Sequence, residues 1–459
     1  MAINLLYLRS NFLCLFIILF LTKLKSFNFT KCGVNDDFNS KTCFNDIIKF
    51  NNKKYRAGQI CTNKKNDLII EYSDESPGNS RLFYSLKENG RGFFQNEEII
   101  KEMTLTNDKI NNRYESINAF ISLESDINKE KQYLLSISSY MSLTELHDME
   151  EGTYQKWLTT DFLNIEENRY ILSPRFTFLE WKNANVYFLV FIQKAGTDSQ
   201  GQDFSNSYTI KKFSFKKEKD LIKINHLSQI EDKSMYNVRV ITATFVDFYD
   251  ILVVFYVKET TKKLTAKFYN STLTEISSSI VDTIIYPGSG LFLKIILIKA
   301  DYIATMFFMN EKDGSSIKIS ILQIQKDILN NFYIKKLSNY YGLGDSLKND
   351  ISLNDFYKIN DDRFMFVSTS DYTKLVIIII ETSNSYQSIK YKTFLFNLDS
   401  SSNNIKFTKE LSIGMYNNFL LFTSTLSSKT ASAEDYFSYL IFFGYANGTD
   451  LAIDISPYM

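Results

Sequence analysis

The amino-acid sequence predicts an all-β protein, and two observations support this prediction. Several short runs that are apolar on both faces recur along the chain, and more polar runs of strand length follow them. Convincing helical periodicity is absent beyond the N-terminal apolar run, apart from two short candidates at 96–103 and 323–331. Strands of this kind cannot bury their faces alone, so the pattern requires neighbours of the same kind.

The clearest unit lies at residues 238–270. An apolar, β-branched strand at 238–246 is followed by the turn Asp247-Phe248-Tyr249-Asp250 and by a wholly apolar or aromatic strand at 251–257. A polar turn then leads to an alternating strand at 264–269. This gradient predicts inner strands that are buried on both faces and an outer strand that faces solvent.

The doubly apolar strand of this unit recurs at intervals of roughly 50 to 65 residues, at 68–72, 133–137, 186–192, 251–257, 302–309, 364–367 and 419–422. An Asp or Asn stands within two residues before six of these seven runs. Both residue types suit tight turns and tolerate left-handed φ. The spacing predicts a β-propeller of seven blades with four antiparallel strands each. Six or eight blades, and tandem β-sandwiches, are the alternatives.

The N-terminus carries an apolar run at 12–21, preceded by Arg9. About ten apolar residues cannot span the roughly 30 Å hydrocarbon core as a helix, but they suit a secretory signal. We therefore predict a signal peptide at 1–26, a cysteine-containing segment at 27–62 and a β-propeller domain at 63–459. An uncleaved signal anchor is the alternative. The later apolar runs are of strand length, so we expect no membrane span after cleavage and a secreted or cell-surface location.

Three cysteines remain after the signal peptide, and all lie near the mature N-terminus. In an oxidising compartment two of them should pair, and Cys32–Cys43 closes the shortest loop, although the other two pairings stay open. Cys61 would then be a free thiol or join another chain, which includes the alternative that this protein is one half of a larger ectodomain. Asn28, Asn270 and Asn447 begin Asn-x-Thr triplets and are candidate glycosylation sites.

Composition and motifs argue against several classes of function. Lys and Arg together number 52, equal to Asp and Glu, so we expect neither nucleic acid nor an anionic membrane as partner. The two histidines, His147 and His226, are expected at surface or turn positions, and no G-x-S-x-G or C-x-x-C motif is present. We therefore predict no catalytic, metal-binding or cofactor-binding residue and no cofactor.

A lysine-rich run at 210–220 contains Lys211, Lys212, Lys216, Lys217 and Lys219 around two phenylalanines. A patch for an acidic partner or a glycosaminoglycan is one interpretation. We interpret the run instead as a solvated outer strand, whose lysines protect a free sheet edge from pairing with another chain.

A group of known proteins combines several features of this sequence. These are the predicted signal peptide, the early Cys32, Cys43 and Cys61, the abundance of Asn, Lys and Ile, and the β-rich region that follows. In these features the chain resembles secreted or surface proteins of malaria parasites, of the EGF-like membrane protein kind. The resemblance implies a parasite-surface location, and it assigns no role to an individual residue.

These observations predict a secreted or surface-exposed, non-catalytic β-propeller that binds a protein or glycan partner. The alternative is a propeller-type hydrolase acting on glycans or peptides, with carboxylates at the mouth of the central channel. Strong scaffold signals beside weak catalytic ones favour the binding protein.

Overall fold

The computed structural model describes the following parts of the chain: residues 55–62, 68–74, 80–86, 97–104, 116–124, 130–138, 143–148, 154–163, 169–181, 185–195, 207–218, 221–232, 238–258, 261–283, 291–311, 314–344, 354–370, 374–397, 405–416, 419–429, 434–445 and 451–453. Nearly all of these residues are in β-strands. Within the described ranges the strands form seven four-stranded antiparallel sheets, and each sheet uses four consecutive strands in sequence order.

The sheets are described here as blades 1 to 7. Blade 1 contains β1 (Tyr55–Thr62), β2 (Leu68–Asp74), β3 (Ser80–Leu86) and β4 (Glu97–Thr104). Blade 2 contains β5 (Ser116–Glu124), β6 (Glu130–Ser138), β7 (Leu143–Asp148) and β8 (Tyr154–Leu158). Blade 3 contains β9 (Arg169–Trp181), β10 (Val186–Ala195), β11 (Ser207–Glu218) and β12 (Leu221–Asp232). Blade 4 contains β13 (Val238–Val246), β14 (Ile251–Lys258), β15 (Lys263–Tyr269) and β16 (Glu275–Thr283).

The remaining three blades follow the same plan. Blade 5 contains β17 (Leu291–Lys299), β18 (Tyr302–Glu311), β19 (Gly314–Lys326) and β20 (Phe332–Gly344). Blade 6 contains β21 (Asn354–Lys358), β22 (Arg363–Ser370), β23 (Lys374–Thr382) and β24 (Ile389–Asn397). Blade 7 contains β25 (Ile405–Tyr416), β26 (Phe419–Lys429), β27 (Glu434–Tyr445) and β28 (Leu451–Ile453). A short helix, α1 (Thr159–Leu163), follows blade 2, and no helix among the described residues is long and apolar enough to cross a membrane.

The blades are arranged in a closed ring. The first strand of most blades contacts the first strand of the next, from β9 to β13, β17, β21 and β25, and then from β25 to β1 and from β1 to β5. Blades 2 and 3 contact each other through β5 and β11. A ring of four-stranded sheets with their first strands innermost is a β-propeller, and its first strand here is β1, within the stretch 27–62 that the sequence assigns to the cysteine-containing segment.

The core consists of apolar layers between neighbouring blades. On β14, alternate side chains enter opposite layers: Leu252 and Val254 pack toward blade 3, whereas Val253 and Phe255 pack toward blade 5. All four are fully buried. This two-sided burial explains why the second strand of a blade is apolar on both faces, because side chains of a strand alternate between its two sides.

Ion pairs join neighbouring blades outside these apolar layers. At the end of β12, Asp232 accepts a hydrogen bond from Lys267 on β15 of the next blade at 2.7 Å. The same arrangement recurs one blade later, where Asp282 near the end of β16 pairs with Lys318 on β19 at 2.5 Å and with Lys336 on β20 at 3.0 Å. The acid near the end of an outermost strand therefore reaches a lysine of the following blade.

The structure confirms the predicted propeller, and each of the seven predicted doubly apolar strands is the second strand of a different blade. The two short helical candidates are wrong. Residues 97–104 form β4, and residues 323–331 form the end of β19 and the hairpin that follows it. Weak helical periodicity in these two stretches does not produce a helix, because packing against neighbouring strands outweighs it.

Candidate functional site

In blades 4, 5 and 6, the turns between the first and second strands and between the third and fourth strands emerge on the same side of the ring. This follows from the up-and-down strand order, in which every second turn lies at the same sheet end. We call this side the lower face. In blades 5 and 6 the first of these turns is bonded to the end of the third strand, since Ile324 N–H donates to the Asp301 carbonyl and Thr382 N–H donates to the Asp362 carbonyl, each at 2.8 Å.

The hairpins between the third and fourth strands of blades 4, 5 and 6 are similar, although that of blade 6 is one residue longer. The first residue of the hairpin is Asn270, Asp327 or Ser383, and the side-chain oxygen of that residue accepts hydrogen bonds from two later backbone N–H groups. Three positions further on, a residue with left-handed φ donates its N–H to the carbonyl of the first residue. The φ angles are 63°, 66° and 58° at Leu273, Asn330 and Tyr386. Hydrogen bonds of this kind hold a turn in one conformation.

The two residues at the tip of this hairpin differ sharply between blades. Blade 4 has Ser271-Thr272 and blade 6 has Asn384-Ser385, whereas blade 5 has Ile328-Leu329. Ile328 is 98% exposed and Leu329 is 74% exposed. Since the hairpins of blades 4 and 6 form with polar residues at these positions, the exposed apolar pair of blade 5 is not required by the turn.

A second exposed apolar side chain, Phe248 at 65%, lies in the neighbouring turn of blade 4. Its ring contacts Tyr249 edge to face, with 4.7 Å between ring centroids. Tyr249 in turn contacts Phe332 of blade 5 at 5.2 Å. Phe332 directly follows the hairpin that carries Ile328 and Leu329, so the Tyr249–Phe332 contact joins the blade 4 turn to the base of this hairpin. We call Phe248, Tyr249, Ile328 and Leu329 the Phe248 patch.

Carboxylates lie around this patch. Asp247 is exposed and precedes Phe248, and Asp327 is exposed at the base of the Ile328 hairpin. Burial raises the pKa of Tyr249, and the nearby negative charge of Asp301 raises it further. Hydrogen bonds from the N–H groups of Asn331 and Leu329 hold the pKa of Asp327 below its ordinary value, so this carboxylate stays ionised.

The lysines of the same turns point to aromatic rings of the protein itself. Lys326 Nζ lies 5.3 Å from the ring centroid of Phe332, and Lys299 Nζ lies 5.4 Å from that of Tyr386 on blade 6. Cation–π contacts of this kind partly satisfy the ammonium groups. These contacts leave both positive charges in place, so the turns around the Phe248 patch carry three carboxylates and two ammonium groups, a small excess of negative charge.

On the other side of the Asp247–Asp250 turn, a polar cluster closes the joint between blades 3 and 4. Trp181 Nε1 donates to Asp250 Oδ1 at 3.0 Å, and Lys212 Nζ lies 4.6 Å from the Trp181 ring centroid. Lys212 also donates to the Ser271 carbonyl at 2.7 Å. Asp250 has left-handed φ of 57°, as does Asn185 at 53°, which confirms the predicted turn role at those two positions. In blade 5 Asp301 lies in the turn, as predicted, and the residue with left-handed φ there is Ala300.

The interpretation of 210–220 as a solvated outer strand is wrong for most of this run. Residues 207–218 form β11, the third strand of blade 3, and Lys211 is only 3% exposed. Burial lowers the pKa of Lys211 to about 8, although the negative charge of Glu231 opposes this effect. Lys212 lies in the joint between blades, and Lys216 is exposed beside Glu218. The aliphatic stems of lysines allow such positions when the ammonium group finds a partner.

The other predicted sites are placed as follows. Asn270 begins the hairpin of blade 4 on the lower face, where its Oδ1 accepts hydrogen bonds from Thr272 and Thr274. Cys61 lies on β1 opposite Ile69 of β2.

Cys32, Cys43, Asn28 and Asn447 lie outside the described residues. His147 is on β7, a third strand as expected, and His226 is exposed within β12. Within the described ranges, no group of three or more His, Cys, Asp or Glu side chains is placed to hold a metal ion.

The sequence alone does not predict that Phe248, Ile328 and Leu329 form an exposed apolar surface. The sequence indicates only a turn at Phe248, and it places Ile328 and Leu329 in a helical candidate. One signal was present: the Asp and Asn residues at 327, 330 and 331 indicate a turn, and an Ile-Leu pair within a turn is unusual because turn tips face solvent.

The fold and this surface together define the class of the protein, a seven-bladed β-propeller with an exposed apolar patch on its lower face. No protein-family model matches the sequence, and no curated protein does. Among solved structures, the chain is similar to the β-propeller domain of Nup133 from Vanderwaltozyma polyspora, with 10% identity and a TM-score of 0.46, over 86% of this chain and 99% of that chain. It is also similar to the WD40 domain of SCAP from fission yeast, with 7% identity and a TM-score of 0.39, over 86% and 89% of the two chains.

A third similar chain comes from the structure of Drosophila Plexin A in complex with Semaphorin 1b, with 9% identity and a TM-score of 0.38, over 84% of this chain and 87% of that chain. Identities and scores this low transfer no function to the present chain. Its function must be inferred from its own surface.

Proposed function

We propose that this protein is a secreted or surface-exposed β-propeller without catalytic activity, and that it binds a protein partner through the Phe248 patch. The observation that carries this proposal is the exposure of Ile328 and Leu329 on a hairpin whose counterparts in blades 4 and 6 are polar. Exposed apolar clusters with a polar border are typical of protein-binding surfaces.

The energetics support a patch of this kind as a contact centre. Complete burial of a Leu, Ile or Phe side chain contributes about 1.5 to 3 kcal/mol, so three such side chains are sufficient for a small cluster of dominant contacts. The hairpin is held by the hydrogen bonds to Asp327, and Phe248 packs against Tyr249. A surface that is already ordered loses little conformational entropy on binding.

Several described carboxylates have structural partners, which gives the hydrolase alternative no support from them. Asp250 binds Trp181, Asp282 binds two lysines, and Asp355 pairs with Lys294 between the first strands of blades 5 and 6. The secretory location rests on the N-terminal apolar run and stays a prediction.

The proposal is tested with the secreted mature chain as bait on candidate host or parasite cells. The key variant, Ile328→Asn with Leu329→Ser, copies the tip of the blade 6 hairpin and should leave the fold intact. The matched control, Asn384→Ala with Ser385→Ala, changes the equivalent tip of blade 6. We expect a protein that the wild-type chain and the control retain and the key variant loses. Identical sets of retained proteins for all three baits would overturn the proposal.

A further inference from the structure

The acidic border of the Phe248 patch indicates what kind of partner this surface fits. Asp247, Asp301 and Asp327 lie at its edge, and the lysines of the same turns lie over Phe332 and Tyr386. Because a cation–π contact leaves the lysine charge in place, the three carboxylates outnumber the two ammonium groups by one, and the border carries a small local excess of negative charge.

The charge at Asp327 is not needed to form the hairpin. In blade 4 the neutral amide of Asn270 accepts the equivalent hydrogen bonds, from the residues two and four positions later. In blade 6, whose hairpin is one residue longer, the neutral hydroxyl of Ser383 accepts from the residues four and five positions later. Blade 5 therefore differs from its neighbours in two independent respects at the same turn, an apolar tip and a charged base. The turn can form without either of these differences, and both occur within three consecutive residues.

We infer that the partner is a protein segment that presents apolar side chains flanked by Lys or Arg. This inference rests on the proposed function, because it names the partner class for the same patch. The apolar side chains of the partner would cover Ile328, Leu329 and Phe248, and its cations would face the three carboxylates. Complementary charges at the border of an interface steer association and select the partner.

A lipid surface fits the same patch less well. Insertion of the Ile328 hairpin into a bilayer would carry Asp327 and Asp247 to the headgroup layer, where anionic lipids repel carboxylates. Membrane-inserting surfaces usually surround their apolar residues with Lys and Arg, whereas carboxylates outnumber lysines at this border.

The inference is tested with synthetic peptides that share one Leu-Phe-Ile-Leu core and differ only in their flanking residues. One peptide carries Lys and Arg, the second carries Glu, and the third carries Ser. Binding to the full mature chain is measured by fluorescence anisotropy at low and high salt. Sedimentation with vesicles of zwitterionic lipid, alone or mixed with anionic lipid, provides the membrane arm of the experiment.

Three variants separate the contribution of the carboxylates to peptide binding from that of the apolar hairpin tip. Asp247→Asn, Asp301→Asn and Asp327→Asn, combined in one chain, remove the charges, and Asn at 327 keeps the hydrogen-bond geometry seen at Asn270. Ile328→Asn with Leu329→Ser removes the apolar tip. The blade 6 variant, Asn384→Ala with Ser385→Ala, is the control for changes in a similar hairpin.

We expect the Lys/Arg peptide to bind about tenfold more tightly than the Glu peptide, since three exposed ion pairs each contribute a fraction of a kcal/mol. High salt and the triple Asn variant should both remove this preference, and the Ile328/Leu329 variant should abolish binding of all peptides. Equal binding of the three peptides that still depends on Ile328 and Leu329 would overturn this inference alone. Peptide binding that is unaffected by the Ile328/Leu329 variant would count against the proposed function as well. Binding to vesicles in place of peptides, lost in the same variant, would overturn both in favour of a lipid surface.

Discussion

The hydroxyl group of Ser277 on blade 4 forms two hydrogen bonds with the backbone of Phe332 on blade 5, accepting from its N–H and donating to its carbonyl oxygen, each at 2.9 Å. Phe332 opens the outermost strand of its blade, whose outer edge pairs with no strand in the described part of the chain. Gln155 makes the same pair of bonds with Ile222 between blades 2 and 3, at 2.8 and 2.9 Å. Side chains of one blade therefore satisfy backbone groups at the edge of the next, which lowers the tendency of that edge to pair with another chain.

The first prediction concerns this edge contact. Ser277→Ala should lower the free energy of unfolding by about 1 to 2 kcal/mol, because it leaves two partly buried backbone groups without their protein partner. The matched control is Ser278→Ala, since Ser278 is exposed on the same strand and should change stability by less than about 0.5 kcal/mol. Urea unfolding followed by circular dichroism measures both values, and equal losses in the two variants would contradict the prediction.

A buried tyrosine pair should make stability fall at alkaline pH. The hydroxyl groups of Tyr208 on blade 3 and Tyr269 on blade 4 share a hydrogen bond, and burial raises the pKa of both above the ordinary value of 10.0. Below pH 10.0 both states keep these tyrosines protonated. As the pH rises above that value, tyrosines of the unfolded chain ionise while those of the folded chain do not, so unfolding is favoured.

The measurement for this pair is the urea midpoint between about pH 8 and 11. The double variant Tyr208→Phe with Tyr269→Phe should lose less stability over this range than the wild-type protein. Tyr333→Phe is the control, since Tyr333 is 40% exposed and its hydroxyl donates to Gln325 on the surface. A double variant with an unchanged pH profile would show that the pair does not contribute.

The Asp282 ion pairs should make stability fall at acidic pH. Burial alone opposes ionisation of Asp282, but hydrogen bonds from Lys318 and Lys336 outweigh it and hold its pKa below the ordinary value of 3.8. A lowered pKa stabilises the folded state above the ordinary value, and this contribution is lost as the pH falls through the folded-state pKa. Asp282→Asn should therefore lower stability at neutral pH and reduce the difference between neutral and acidic conditions.

Thermal unfolding at neutral pH and at about pH 3 measures the effect of Asp282→Asn. Glu218→Gln is the matched control, because Glu218 pairs with Lys216 and Lys223 on an exposed strand end. This control should leave the unfolding midpoint unchanged, since solvent and salt screen exposed pairs. Equal effects of the two variants would contradict the structural role of Asp282.

Asn270 should carry a glycan when the chain is expressed through a glycosylating secretory pathway. The hairpin holds Asn270 and Thr272 at the surface of the lower face, and Asn270→Asp should remove the glycan while keeping the hydrogen-bond geometry of Asp327 in blade 5. Mass spectrometry of the peptide that contains Asn270, before and after enzymatic deglycosylation, checks this outcome. An unmodified peptide from the secreted wild-type chain would contradict the assignment.

Much of the fold follows from local patterns in the sequence. The uniformly apolar run at 251–257 predicts a strand with two buried faces, and β14 has them, because consecutive side chains of a strand must point to opposite layers. The Asp or Asn before such runs predicts a turn, as Asp250 and Asn185 confirm. These features depend on backbone geometry within a few residues, so composition and order are sufficient to reveal them.

The candidate site does not follow from such patterns. Ile328 and Leu329 have a functional meaning only when their hairpin is compared with those of blades 4 and 6, and when Phe332 is seen against Tyr249 of the preceding blade. Lys211 and Lys212 are near neighbours in a run of lysines, but the ring places the first in a buried layer and the second over Trp181.

The sequence by itself revealed the doubly apolar second strand of every blade and the turns that precede several of them, since each depends on interactions between residues close together in the chain. Only the tertiary structure decided which side chains are exposed at the turn tips and which charges find partners. Those outcomes depend on contacts between blades, such as Asp282 with Lys336 and Ser277 with Phe332, whose partners are 54 and 55 residues apart. No local pattern specifies such partners, because closing the ring of blades is what brings them together.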